Sequence, residues 1–149
     1  MAAFNKFQPF VANLAQGKIK LDINGNGGDT LKVYLSNEAP LATDGQKSDI
    51  AEITAKNGYT AGGNTATVST SSQSSGTFKL VLADPTIWTA TTATDGTGIG
   101  PFRYAILYSD TSTNDLLIGW WDYLSSVTLA DTETFLVDFD AGTGVLTIA

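Results

Sequence analysis

Two apolar runs around a polar turn dominate the pattern of this chain. Over residues 101–123, reading PFRYAILYSDTSTNDLLIGWWDY, Phe102, Tyr104, Ile106 and Tyr108 share one face by period-two alternation. Residues 109–115 are Ser, Asp, Thr and Asn, whose short polar side chains bond nearby backbone and favour a turn. The run 116–123 is apolar on both faces, with Leu116, Ile118 and Trp120 on one and Leu117, Trp121 and Tyr123 on the other. A strand of that kind needs cover on both sides. The pattern predicts a central hairpin, covered by a second sheet on one face and by a helix or another protein on the other. Trp120 is expected in the core between the sheets, and Trp121 on the outer face against the N-terminal helix or a neighbouring chain.

Other elements follow from the same reading. Phe4, Phe7, Val11 and Leu14 recur at spacings of three and four, with Phe10 and Ala15 widening the stripe. This predicts a short amphipathic helix or arm over residues 4–16 of an N-terminal segment 1–17. Asn5 is its candidate cap, Gly17 its stop, and Pro9 belongs in its first turn. Leu31, Val33 and Leu35 alternate with Lys32, Tyr34 and Ser36, a half-buried strand. Asp49 and Glu52 have capping-box spacing, which predicts a helical turn near 49–55. Residues 65–71 read as an exposed edge strand and 71–76 as a turn or flexible tip. Phe78, Leu80 and Leu82 mark another strand, 87–90 a short β segment, and 91–100 a glycine-bearing loop. Phe135, Val137 and Phe139 alternate with Leu136 and Asp138; a turn at 141–144 and a strand at 145–148 then predict a closing hairpin. Seven or eight strands and one N-terminal helix make an all-β single domain over 1–149, an antiparallel β-sandwich or jelly roll.

Composition narrows the function classes. Charged residues make up only 15% of the chain, against about 25% in ordinary soluble domains. The net charge of −7 argues against nucleic acid as a partner. It is unevenly spread. Residues 1–79 carry seven Lys and six acids, for +1, whereas residues 80–149 carry Arg103 and nine acids, for −8. A solvated acidic surface that aids solubility is the first reading of this asymmetry, and complementary patches that dock subunits are the second. No apolar run approaches the ~18 residues of a membrane span, and the first sixteen residues lack a continuous signal-peptide core, so neither a membrane nor export is expected.

The chemistry available to a catalyst is thin. The chain has no Cys and no His, which excludes Ser–His and Cys–His nucleophiles. Asp22, Asn24, Asn26 and Gly27 match the first half of a calcium loop, but Val33 stands where the bidentate Glu belongs, so a glycine-rich turn without metal is expected. Asp122 beside Trp120 and Trp121, with Asp138 and Asp140, is the best carboxylate set for glycoside hydrolysis or sugar binding. The alternation turns Asp138 to solvent, and the two tryptophans to opposite faces. No enzyme activity and no cofactor are expected.

Several stretches resemble a known family. FNKFQPFVANLA (4–15), TLKVYLSNEAP (30–40), DIAEITAKNGYTAGGNT (49–65), KLVLADPTIWTA (79–90) and the block running from IGPFRYAILYSD to LIGWWDY (99–123) are similar to small virion proteins of tailed bacteriophages, the head decoration or cement proteins. The likeness spans nearly the whole chain. It implies a β-sandwich made in the host bacterial cytoplasm that binds the outer head surface and ties adjacent major capsid proteins together. Under this reading Phe4, Phe7, Phe10, Trp88 and Trp121 are the partner-contact residues, and a homo-oligomer is expected. The alternatives are a tail protein (a tube, tip or fibre subunit) and a carbohydrate-binding module with a glycan ligand.

Overall fold

The computed structural model describes residues 2–91 and 98–149, apart from the side chain of Asn24. The elements in order are β1 (Asn5–Lys6), α1 (Gln8–Ala15), β2 (Leu31–Ser36), β3 (Asn64–Thr65), β4 (Val68–Ser74), β5 (Thr77–Leu82), β6 (Trp88–Thr89), β7 (Ile99–Ser109), β8 (Leu117–Leu129), β9 (Thr134–Phe135) and β10 (Leu146–Ile148). They form a five-stranded sheet, β1-β8-β7-β2-β3, a three-stranded sheet, β10-β5-β4, and the pair β6-β9. Every pairing is antiparallel. The fold is all-β, of the antiparallel sandwich class, with one short helix among the described residues. The pairings do not extend to a jelly-roll assignment.

The predicted hairpin is the spine of the large sheet. β7 lies at its middle, paired with β2 through Leu31↔Ser109 to Ser36↔Tyr104 and with β8 through Tyr104↔Asp122 to Leu107↔Gly119. Ile106, Leu107, Leu117 and Ile118 are fully buried, as two covered faces require. β2 is buried on both faces too, rather than half-buried, because it lies inside the sheet between β7 and β3. Its polar groups on the second face find partners: the Tyr34 hydroxyl donates to the Ile50 carbonyl, and Ser36 Oγ donates to the Ala51 carbonyl at 2.6 Å.

Polar side chains lock the turn end of the hairpin. Ser109 is fully buried, and its Oγ donates to the buried Asp29 carboxylate at 2.7 Å. The same carboxylate accepts the Lys20 N–H. Ser109 Oγ in turn accepts the Ser112 N–H, and Ser112 Oγ accepts the Leu116 N–H at 2.9 Å. Just before β2, Asn24–Asn26 make a 3-10 turn. A Cβ at Gly28 would lie 1.9 Å from the Asp22 carbonyl oxygen, so this turn needs glycine to close on itself.

The N-terminal helix is shorter than its apolar periodicity suggests. Asn5 and Lys6 form a strand against Trp120 and Gly119, so Asn5 is not the cap; the extended Phe7 occupies that position. Pro9 sits in the first turn, and Gly17, at φ 68°, ends the helix as expected. Phe10 and Asn13 are its buried residues, whereas Val11 is 52% exposed. Starting the helix at Gln8 takes Phe7 out of the stripe and turns Val11 outward.

Other differences arise from non-local pairing. The turn near 49–55 is instead a 3-10 turn at Lys47–Asp49, with Gln46 and Asp49 as the reciprocal capping pair. Strand β4 runs on to Ser74, and the reversal is the two-residue Ser75–Gly76, both at positive φ (50° and 86°), the geometry a tight hairpin favours. The closing hairpin does not form. β9 pairs with β6, and β10 pairs with β5 through Leu146↔Leu80. The alternation there still holds, with Val137 and Phe139 buried and Asp138 exposed. Of the loop expected at 91–100, residues 92–97 lie outside the described residues.

Candidate functional site: an aromatic groove beside a bulge in β8

Beyond the Tyr104↔Asp122 rung the hairpin ladder becomes irregular. The next rung is Phe102↔Val127, so four residues of β8, 123–126, stand against Arg103 alone. The surplus bulges outward, as an insertion in one strand must. Arg103 fixes it: its Nε and Nη2 donate to Asp122 Oδ1 and Oδ2, both at 2.8 Å. Asp122 Oδ1 also accepts the Leu124 N–H at 2.7 Å. Leu124 is held at φ 71°, a conformation leucine rarely adopts, and is 79% exposed. The guanidinium beside Asp122 holds its carboxyl below the usual range, and the carboxylate raises Arg103 in return.

A groove of about 320 Å³ opens next to this bulge, lined by Ala2, Phe102, Trp121, Tyr123, Phe135 and Val137, with Arg103 and Asp138 as its charged members. Its aromatic walls brace one another. Phe135 meets Phe102 edge-on at 4.8 Å and Tyr123 at 5.9 Å between centroids. Trp121 packs on Phe4 at 5.2 Å and on Phe139 at 5.3 Å. Tyr123 remains 54% exposed, and Leu136, also lining the groove, 42%.

The expected contact residues divide sharply. Trp121 lines the groove, and Phe4 lies half-buried on its ring. A surface role for Phe7, Phe10 and Trp88 is corrected: they are 0%, 1% and 2% exposed, packed in the chain's own core. Phe7 covers Trp120 at 4.4 Å, and Trp88 lies between Tyr59 and Phe135, its indole N–H without a hydrogen-bond partner among the described residues. Trp121 meets the N-terminal segment, as expected, but Trp120 meets it too, through Phe7. Trp120 faces the residue that caps α1, whereas Trp121 faces Phe139 of the C-terminal segment as well as Phe4.

Two of the three carboxylates are spent on structure. Asp122 is clamped by Arg103, and Asp140 binds the Gly142 and Thr143 N–H groups and the Thr143 hydroxyl of its own turn. Those bonds hold Asp140 below the ordinary carboxyl range. Asp138 is exposed at the groove. Among the described residues, no three acidic side chains converge as a metal site, and no helix is long and apolar enough to cross a membrane.

A second polar cluster braces the opposite part of the sheet. Glu52 accepts the Tyr59 hydroxyl and the Gly62 N–H, both at 2.6 Å, and pairs with Lys47. The Lys47 ammonium lies 5.1 Å from the Tyr34 ring centroid and 5.8 Å from that of Tyr108. Burial pushes all three tyrosines above the usual phenol range, with Glu52 adding to the shift.

Tyr123, Leu124, Leu136 and Arg103 were not among the contact residues expected from the sequence. The available signal is that Arg103 is the sole cation in residues 80–149, set opposite a run that ends in Asp, Tyr and Leu. Fold and groove together define an all-β antiparallel protein with an exposed aromatic cleft beside a clamped strand bulge. No protein-family model, curated protein or solved structure matches the chain.

Proposed function

We propose that this chain is a non-enzymatic structural protein of a tailed-phage virion, a head decoration subunit that binds the outer capsid surface and holds adjacent major capsid proteins together. The observation that carries the reading is the groove: a concave aromatic surface with Tyr123 and Leu136 exposed in its lining and Leu124 exposed on the adjoining bulge. Clustered aromatic and aliphatic side chains around a cleft are what dominates protein–protein contacts. The sequence resemblance supplies the partner. Work of this kind is mechanical. A subunit that binds only the expanded shell stabilises it by mass action, and many symmetry-related copies sum modest terms.

The test is co-sedimentation of the protein with expanded and unexpanded heads. Binding to expanded heads, weakened about tenfold or more by Leu124→Asp, is expected. A wild-type chain that ignores both kinds of head sinks the reading. Trp121 and Tyr123 in one cleft with Asp138 also favour a second reading, stacking on a sugar ring. Glycan-array binding abolished by Trp121→Ala would replace the capsid with a glycan.

A further inference from the structure

We propose that the groove receives a second copy of this chain, in a head-to-tail contact between the lysine-bearing N-terminal end of one subunit and the groove of the next. The inference rests on the docking reading above and places a second copy in the groove, so that heads are bound by assembled subunits rather than by the open groove of one. Three observations carry it. The first is the display of Leu124. A glycine or asparagine meets the demand of a left-handed bulge position at lower cost. Here a leucine sits there at φ 71°, 79% exposed, with its N–H tied to Asp122 and Asp122 clamped by Arg103. Strain held in place by a charged clamp marks a side chain presented for contact.

The second observation is charge. Arg103 is paired with Asp122, and Asp138 lines the groove, with Glu133 exposed on the chain leading into β9. The rim of the groove is acidic at these positions. Its complement therefore joins apolar side chains to cations.

The third is that this complement exists at the other end of the same molecule. Val11 is 52% exposed on α1, and Lys18 and Lys20 are exposed just beyond it. Lys20 is held by its backbone N–H on Asp29, the residue bonded to Ser109 at the turn end of the hairpin. The groove flanks the Phe102–Tyr104 end. Apposing two grooves about a two-fold axis would bring the Asp138 carboxylates of both copies to the same interface, which like charge disfavours. Complementary patches at opposite ends give a heterologous contact, which builds rings or rows. A row of subunits, rather than a single one, then spans the shell.

The experiment is sedimentation velocity of the full chain over about 1–200 µM, at about 50 and 500 mM salt. Mass should rise with concentration at low salt, and the association should weaken at least tenfold at high salt. Leu124→Asp, which puts a charge on the bulge beside the groove, and the double variant Lys18→Glu/Lys20→Glu, which reverses the charge of the other end, should each be monomeric. Because each keeps one intact end, mixing them should give a one-to-one pair that grows no further. All these side chains are exposed, and unchanged thermal melts confirm that the variants fold. A wild-type monomer throughout overturns the inference, as does a dimer unaffected by the lysine changes. Head co-sedimentation separates this result from the parent reading. A monomer that still binds heads removes only the head-to-tail contact, while assembly without head binding removes only the capsid.

Discussion

The two ends of the β7–β8 hairpin solve opposite problems with the same residue types. At the turn end a carboxylate, Asp29, is buried and ties Ser109 and the Lys20 backbone inward, so that no large apolar side chain is needed to hold the reversal. At the bulge end a carboxylate, Asp122, is part-exposed and ties Arg103 and the Leu124 backbone so that an apolar side chain is pushed outward. One aspartate closes a structure and the other presents a surface. The difference teaches that residue type alone does not assign a role here; what the side chain's partners are attached to does.

That contrast can be broken most severely at alkaline pH. Tyr34, Tyr59 and Tyr108 cluster toward the closed end, and burial raises each above the ordinary value of 10.0. A phenol whose folded pKa lies above its unfolded one contributes stability that is present below pH 10 and lost as pH rises past it. Phenolate absorbance and circular dichroism should therefore change together in one cooperative step above pH 10, with the three tyrosines ionising only as the chain unfolds. Early, independent ionisation of all five tyrosines would show that the closed end is open to solvent.

Next in size is Phe7→Ala. Its ring is fully buried and packs on Trp120, so truncation should cost ~3–5 kcal/mol in denaturant unfolding. By contrast, Tyr123→Ala at the groove should stay within ~1 kcal/mol. Equal losses would erase the distinction between core and docking aromatics.

Asp29→Ala should come third, at roughly 1–3 kcal/mol, since it strands the Ser109 hydroxyl and the Lys20 N–H in a buried site. Urea midpoints measure it. The smallest change should have the opposite sign: Leu124→Gly relieves the left-handed strain and raises stability by up to about 1 kcal/mol. The same variant should weaken self-association. A leucine that proves neutral or stabilising at φ 71° would mean that the bulge stores nothing.

The central hairpin was legible because period-two alternation over Phe102, Tyr104, Ile106 and Tyr108 states both strand and buried face. What covers each face was not, since Trp120 and Trp121 alternate correctly but nothing local says which of them meets Phe7. The helix start was masked by coincidence. Phe4 and Phe7 keep helical spacing while belonging to an extended segment that β8 captures through Asn5↔Trp120. Likewise the turn chemistry at 141–144 is sound, but whether β10 joins β9 or β5 is a choice of distant partner. Of the site, Trp121 and Phe4 were within reach of the sequence. The bulge was not, because it depends on a bond between Arg103 and Asp122, nineteen residues apart.

The three tryptophans occupy unlike surroundings: Trp88 sealed within the core, Trp120 under Phe7, and Trp121 on the wall of the groove. The molecule thereby carries its own optical probes. Emission isolated in a chain that keeps only Trp121 would follow whatever fills the cleft, while Trp88 reports the integrity of the interior. Occupancy and unfolding can then be read from two single-tryptophan chains, one keeping Trp121 and one keeping Trp88, with no dye attached to either.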